Sequence, residues 1–272
     1  MSDTISFRIL GCGSSGGVPR LTDTPGGNWG QCDPNNPKNR RRRCALLVTR
    51  KSAAGETRVL IDTTPDMREQ LLDAGIGTLD AVVYTHAHAD HTHGIDDLRQ
   101  IVYNRHDRLP VYADAPTAAA ITDRFGYAFV QPEGSSYPPI CDLRLFDGPF
   151  DITGAGGVIP FTGIIPVVHG AMHTVGFRIA STAYVPDVAT FPEARPQHLL
   201  DLDIMIIDAL RYTPHPTHAH LERTLGWIAD FAPKQAVLTN MHNDLDYATL
   251  AAEMPDHVQP AYDGLTLTLP IG

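Results

Sequence analysis

The feature that most constrains this chain is a run of potential metal ligands, Thr85-His86-Ala87-His88-Ala89-Asp90-His91-Thr92-His93-Gly94. It follows the apolar segment 79–84, whose length and β-branched content predict a buried strand. Side chains alternate in direction at a strand end, so we expect His86 and His88 to point the same way. The sequence therefore predicts a binding site where this strand ends.

Two further ligands, Asp90 and His91, come directly after this pair of histidines. If the chain turns into a helix near Ile95, both side chains would lie beside the histidines. Imidazole and carboxylate are ligand types that divalent zinc, manganese and iron accept in proteins. The alternative is a polar turn with surface histidines, but four potential ligands in six residues argue against it.

The spacing His86-x-His88-x-Asp90-His91 resembles the signature of the metallo-β-lactamase fold. This resemblance implies an α/β protein, a four-layer αββα sandwich that carries two metal ions at one edge. Redox members of that fold usually carry Glu at the second position of the motif. The histidine at position 88 therefore favours hydrolysis over oxygen chemistry.

Length and composition fit one globular domain. A chain of 272 residues can bury a large core, so we expect residues 1–272 to form a single domain. We find no signal peptide, and no apolar run approaches the roughly 20 residues of a membrane span. We therefore expect a cytoplasmic protein that does not bind a membrane. Four cysteines without a C-x-x-C pair are expected to be reduced thiols: Cys12, Cys32, Cys44 and Cys141.

The formal net charge of -10 argues against general nucleic-acid binding, because a phosphate backbone requires a cationic surface. Asn39-Arg40-Arg41-Arg42-Arg43 is a local exception. It is either a solvated loop or part of an anion site. The oligomeric state stays open, with a homodimer as one candidate.

The remaining ligands should follow later strands. His169 ends one predicted strand, 164–168, and Asp187 follows another, 183–185. The sequence around Asp187 also resembles the bridging-aspartate motif of the family. Position at a predicted strand end favours a ligand role for both residues over an ordinary loop position.

The last ligand departs from the family pattern. Most members end a strand with Leu-Thr-His, whose histidine binds metal, but here Asn240 occupies that position and His242 lies two residues later. Strand alternation would place both side chains on one face. We therefore expect His242 to bind metal as the last ligand, and Asn240 to contact the ligands without binding metal itself.

Much of the chain resembles one branch of the superfamily, the phosphoribosyl cyclic phosphate phosphodiesterases of phosphonate breakdown. The resembling segments are 11–19, 39–43, 86–99, 110–112, 187–193 and 238–246. Those enzymes also hold a structural zinc ion, partly through closely spaced cysteines. This chain keeps only Cys32 in that region, with Gly27 and Trp29 at the other approximate positions. We therefore expect no structural zinc.

The resemblance implies a metal-dependent phosphodiesterase for small, chiefly cyclic, phosphodiesters, in which two zinc or manganese ions supply hydroxide. One ion would be held by His86, His88 and His169, the other by Asp90, His91 and His242, and Asp187 would bridge them. Asp90 is also a candidate catalytic residue. Asp62 is expected to orient ligands rather than to bind metal.

His218 is the candidate general acid, since the branch has a catalytic, non-ligand histidine at the matching place. A sugar hydroxyl leaves poorly unless it receives a proton, which an imidazole can supply. We predict that His218 lies at the start of a helix over Thr217–Phe231. The alternative is that it only caps this helix or lies in solvent.

Three other functions remain open. A tRNA 3′-processing nuclease shares these ligands, but the acidic composition and the absence of an evident basic RNA-binding arm argue against it. A thioester or β-lactam hydrolase of the same fold has no specific residues in its favour. The intact set of the first five predicted ligands argues against a non-catalytic metal-binding protein.

Overall fold

Two seven-stranded mixed sheets and their helices make up residues 2–271, the part of the chain that this computed structural model describes. The predicted α/β class is therefore confirmed. The described residues form two compact units, the first from 2–10, 45–160 and 266–271, the second from 11–44 and 161–265. The single domain over 1–272 stays a prediction.

The first sheet has the strand order β14-β1-β2-β3-β4-β5-β6. Its strands are β1 (Thr4–Gly11), β2 (Ala45–Ser52), β3 (Gly55–Ile61), β4 (Ala81–Val83), β5 (Leu109–Ala113), β6 (Cys141–Leu145) and β14 (Thr266–Pro270). The sequence predicts a hairpin of strands over 44–49 and 58–61, and β2 and β3 form it. Strands β3 to β6 are parallel. The carboxyl ends of β3 and β4 therefore lie next to each other, which brings Asp62 towards the loop that follows β4.

The second sheet has the order β13-β12-β11-β10-β9-β8-β7. Its strands are β7 (Phe150–Gly154), β8 (Gly157–His169), β9 (Met172–Ile179), β10 (Thr182–Val185), β11 (Ile204–Asp208), β12 (Gln235–Thr239) and β13 (Val258–Pro260). Strands β10 to β13 are parallel, and β8 runs in the same direction because β9 is antiparallel to both neighbours. Within the second unit, β8, β10, β11 and β12 thus end at one edge of the sheet.

The helices are α1 (Met67–Ala74), α2 (Ala89–Thr92), α3 (Leu98–Arg105), α4 (Ala115–Phe129), α5 (Leu221–Phe231) and α6 (Tyr247–Glu253). Short 3₁₀ helices cover Pro37–Asn39, Ile95–Asp97 and Gln197–Leu199. For α1, the sequence predicts Thr64 as the N-cap and Gly75 as the end of the helix. Gly75 follows the helix as predicted, with the left-handed φ of 69°. The N-cap is Asp66 instead, and the Thr64 hydroxyl accepts a hydrogen bond from the amide of Asp66 in the preceding turn.

The predicted helix over Thr217–Phe231 begins four residues late, at Leu221. Ala219 is the reason, because its amide donates to the carbonyl of Val188 at 2.6 Å and its carbonyl accepts from the amide of Leu210 at 2.9 Å. These contacts hold the chain before Leu221 outside the helix. His218 therefore lies in a loop, which corrects the predicted helical position.

The sequence predicts two separate strands over residues 158–161 and 164–168, but the single strand β8 covers both. Its pairing with β9 shifts register between Phe161 and Gly163, so the interruption is a local irregularity in one long strand. Among the helices in residues 2–271, none is long and apolar enough to cross a bilayer.

Candidate metal centre

The predicted ligand loop of the first unit connects β4 to the short helix α2. His88 is the N-cap of this helix, which places Asp90 and His91 in its single turn. His86 and His91 are buried, with exposed fractions of 0% and 1%. The ring centroids of His86 lie 4.2 Å from His91 and 4.8 Å from His88, so the structure brings the three imidazoles together.

Asp62, at the end of β3, organises this loop. Its buried carboxylate accepts hydrogen bonds from the amide and hydroxyl of Thr85 at 2.9 and 2.8 Å and from Nδ1 of His91 at 2.8 Å. Burial raises the pKa of Asp62, while His91 and Thr85 act in the opposite direction by stabilising the anion. The carboxylate therefore orients the ring of His91, a predicted ligand.

The same contacts assign the tautomers of two rings. The hydroxyl of Thr85 donates to Asp62, so it accepts from Nδ1 of His86 at 2.9 Å. Nδ1 of His91 donates to Asp62. Both rings therefore carry their lone pair on Nε2, and Nε2 of His86 lies 3.0 Å from Nδ1 of His88. Ring nitrogens at this separation suit a shared cation.

Asp90 contacts this group less closely. Its Oδ2 lies 3.6 Å from Nε2 of His91, and its side chain is 21% exposed. All four predicted ligands of the first unit therefore lie in one loop, with Asp90 at its exposed side.

Gly94 closes the loop. Its amide donates to the carbonyl of Thr63 at 2.9 Å, and the amide of Thr63 donates to the carbonyl of His91 at 2.8 Å. A Cβ at Gly94 would lie 2.0 Å from the carbonyl oxygen of Thr64. Only glycine permits this close approach.

In the second unit, His169 ends β8 as predicted. Its Nδ1 donates to the backbone carbonyl of Thr217 at 2.6 Å, so Nε2 carries the lone pair. The ring centroid of His169 lies 4.5 Å from that of His218. The loop that carries His218 therefore orients a predicted ligand as well.

Asp187 follows β10, as predicted, and contacts Asn240. The amide Nδ2 of Asn240 donates to Oδ1 of Asp187 at 2.6 Å. Strand β12 ends at Thr239, and Asn240 adopts a left-handed φ of 60°. Strand alternation does not continue past this residue, so the argument that placed Asn240 and His242 on one face was wrong.

Within residues 2–271, His242 is not a member of the close ligand group of the second unit. Its backbone amide donates to the carbonyl of Leu210 at 2.8 Å, and its Nδ1 lies 3.6 Å from Oδ1 of Asp244. The close group within this unit instead comprises His169, Asp187 and His218, whose ligand atoms lie within 4.8 Å of one another. Metal binding by His242 stays a prediction.

His218 contacts two carboxylates. Its Nδ1 lies 2.8 Å from Oδ2 of Asp208 and 3.4 Å from Oδ1 of Asp187. The amide of Asn240 is 3.2 Å from the same nitrogen. The side chain of His218 is 17% exposed, so the ring is held from within the unit and still reaches the surface.

Asp208 is the functional residue that our sequence reasoning missed. It ends β11, is fully buried, and accepts the amide of Val188 at 3.0 Å as well as the ring of His218. Burial raises its pKa to about 7, while His218 acts in the opposite direction. A carboxylate directly after the apolar run 202–207 was the available signal.

These residues fit divalent metal ions by their chemistry. Imidazole rings that contact buried acceptors through Nδ1 lie beside carboxylates in both units. Metal-binding histidines are typically oriented in this way by a second group. The four cysteines are buried free thiols. Cys32 lies 3.5 Å from the carbonyl of Leu245 and 3.8 Å from the guanidinium of Arg41.

Comparisons with known proteins agree with this architecture. The family described as "Beta-lactamase superfamily domain" matches residues 57–241. A solved structure described as a new diphosphatase from the PhnP family is 34% identical, with a TM-score of 0.84, and covers 98% of this chain and 97% of its own. Zn²⁺-bound PqqB from Methylobacterium extorquens is 19% identical, with a TM-score of 0.72, over 96% of this chain and 99% of its own, and it shows the fold alone.

One curated relative matches as well. "Octanoyltransferase" of Porphyromonas gingivalis (strain ATCC BAA-308 / W83) is 33% identical over 264 residues, which are 94% of this chain and 50% of that protein. The chain thus spans about half the length of this relative. The predicted metallo-β-lactamase fold is confirmed by the family match and the solved structures. The chain belongs to the β-lactamase superfamily and has the metallo-β-lactamase fold.

Proposed function

We propose that this hydrolase cleaves small, chiefly cyclic, phosphodiesters with two divalent metal ions. The observation that carries the proposal is the set of buried acceptors behind three histidines. Asp62 holds His91, the carbonyl of Thr217 holds His169, and Asp208 holds His218. The similarity to a diphosphatase of the PhnP family supports phosphate chemistry.

The ligands predicted from the sequence would hold zinc or manganese. One ion would be held by His86, His88 and His169, the other by Asp90, His91 and His242, and Asp187 would bridge them. When bound, the ions stabilise negative charge on phosphate oxygens and lower the pKa of water towards roughly 7. Asp90 would be catalytic because it would hold one of these ions.

His218 would act as the general acid. Asp208 holds Nδ1 at 2.8 Å, which fixes the ring and stabilises its cationic form. The proton on Nε2 of that cation can pass to the departing alkoxide, for a typical gain of 10²–10⁴-fold. The buried Asp208 thus positions the acid without touching the substrate.

A substrate screen tests the proposal. Protein loaded with zinc or manganese should hydrolyse cyclic and linear phosphodiesters of small alcohols and sugars, and His88→Ala should lose this activity. We expect little cleavage of long RNA, because the net charge is -10. Efficient cleavage of precursor tRNA without turnover of small diesters would contradict the proposal.

The role of His218 is tested by the leaving group. His218→Ala should slow hydrolysis of an alkyl diester by about 10²–10⁴-fold and largely spare a nitrophenyl diester, whose leaving group needs no proton. Its metal content should stay at the wild-type value. Equal losses on both substrates, or loss of a metal ion, would contradict the acid role.

A further inference from the structure

We propose that Arg124 is a positioning residue for the ligand loop, residues 86–93, and acts through His88. The inference rests on the proposed function, because it takes His88 as a metal ligand. Arg124 belongs to α4, and its Nη1 donates to the backbone carbonyl of Ala87. Ala87 lies between the predicted ligands His86 and His88. All of these residues belong to the first unit.

The carbonyl of Ala87 determines how the chain enters His88. A peptide unit is planar, so a hydrogen bond to this carbonyl also fixes the plane that contains the amide of His88. The carbonyl of His88 is held in turn by the hydroxyl of Thr92 at 2.9 Å and by the amide of His91 at 3.1 Å. The backbone is therefore fixed on both sides of His88, which sets the direction in which its side chain leaves the backbone.

A kink in α4 adds a second contact with the ligand loop. The helix is interrupted at Phe125, whose φ of -127° and ψ of 34° are not helical, and the poor helix former Gly126 follows. The ring of Phe125 packs edge-to-face on His93, with 5.4 Å between the ring centroids. His93 is the C-cap of α2, directly after the predicted ligands. The neighbouring residues Arg124 and Phe125 thus contact the ligand loop at its beginning and at its end.

The helix α4 is held on both sides of this kink. Its N-cap Asp114 accepts the amide of Thr117 at 3.0 Å, and Ile121 is fully buried on its apolar face. Beyond the kink, the carbonyl of Phe129 accepts a hydrogen bond from Nη2 of Arg108 at 3.1 Å. Both halves of the helix are attached to the rest of the unit, so Arg124 extends from a fixed support.

The positive charge of Arg124 distinguishes two roles. A guanidinium close to the ligands repels a divalent cation, so a role through charge alone predicts tighter metal binding when the charge is removed. A role through the carbonyl of Ala87 predicts weaker binding, because a charged donor makes a strong hydrogen bond and its loss frees the peptide plane. The sign of the change in metal affinity therefore decides between the two roles.

The test measures Zn²⁺ binding to metal-free protein by competition with a chromophoric chelator. Arg124→Met should bind Zn²⁺ about 10-fold more weakly than wild type, as expected for loss of a group that orients a metal ligand. Arg124→Lys keeps the charge but not the planar donor group, and should lose less. The visible absorption spectrum of Co²⁺-loaded protein, which reports ligand geometry, should also change in Arg124→Met. Arg68→Met is the matched control, since Arg68 is an exposed helical arginine of the same unit, and it should keep the wild-type affinity and spectrum.

A double-mutant cycle tests whether Arg124 acts through His88. His88→Ala should weaken Zn²⁺ binding, and Arg124→Met should cause no further loss when added to it. Unchanged or tighter binding in Arg124→Met, or losses that add in the double variant, would overturn the inference alone. Wild-type affinity in His88→Ala would contradict the proposed metal centre and the inference with it. If Arg124→Met does not fold, Arg124→Lys takes its place in the cycle, and unchanged binding in that variant would overturn the inference.

Discussion

The two groups of candidate ligands differ in how the chain supplies them. In the first unit, three histidines and an aspartate come from the six residues His86–His91. In the second unit, His169, Asp187 and His218 come from three separate segments that the sheet brings to one edge. The first group depends on the spacing of one loop, whereas the second depends on the pairing of several strands.

The carboxylates that orient these rings, Asp62 and Asp208, differ in the number of rings that they contact. Asp62 holds His91 directly and His86 through the hydroxyl of Thr85, so one residue fixes two rings. Among the imidazole rings of residues 2–271, Asp208 contacts that of His218 alone. The first unit should therefore be more sensitive to loss of its carboxylate, and the following variants test this difference.

Asp62→Asn should have the largest effect. An amide cannot accept from His91 and Thr85 as the carboxylate does, so the tautomers of two rings are no longer fixed. We expect metal affinity and diester hydrolysis to fall by roughly 10- to 100-fold. Metal titration and steady-state rates measure this, and unchanged metal affinity would show that the loop is rigid without Asp62.

Asp208→Asn should spare metal binding and reduce hydrolysis of alkyl diesters by about tenfold or more, because His218 loses the partner that stabilises its cation. Nitrophenyl diesters should be affected less. Elemental analysis serves as the control. If Asp208→Asn lost a metal ion as readily as Asp62→Asn, the contrast between the two units would be wrong.

His242→Ala and Asn240→Ala separate the two candidates for the last ligand. We predict that His242→Ala lowers the occupancy of one metal ion together with activity, and that Asn240→Ala leaves metal content largely intact. Because Asn240 contacts Asp187, a predicted ligand, the two variants distinguish a direct metal ligand from a residue that acts through Asp187. Metal loss in Asn240→Ala alone would assign the position to Asn240 through Asp187.

Asp263→Asn should change the pH dependence of stability. Asp263 accepts the amides of Arg42 and Cys12 at 2.8 and 3.2 Å, and burial raises its pKa to about 7. The folded protein keeps this proton between the usual carboxyl pKa near 4 and about 7, so the contribution of Asp263 to stability falls as pH rises through that range.

As the pH rises from 4 to 7, the free energy of unfolding should therefore fall less for the asparagine variant than for wild type. The difference between the two proteins should be roughly 2–4 kcal/mol at most. Urea unfolding at several pH values measures the difference. Parallel pH profiles for the two proteins would show that Asp263 titrates in its ordinary range.

Sequence reasoning was most accurate where the determining contacts are local. The sequence predicts a strand over 109–113, which is β5, and a hairpin of strands over 44–49 and 58–61, which β2 and β3 form with longer strands. Period-two alternation and turn residues act within a few positions, which is why these elements are predictable. The helix α5 was predicted four residues too long, because the contacts of Ala219 with Val188 and Leu210 are invisible in the sequence.

The sequence by itself determined the fold family and the ligand loop His86–His91, since both follow from spacing along one short stretch. Only the tertiary structure decided that Asp208 holds His218 and that Asn240 donates to Asp187. Those contacts require the parallel register of β10, β11 and β12 and a left-handed backbone at the end of β12. Strand register joins residues distant in sequence through many weak interactions, which no single local pattern encodes.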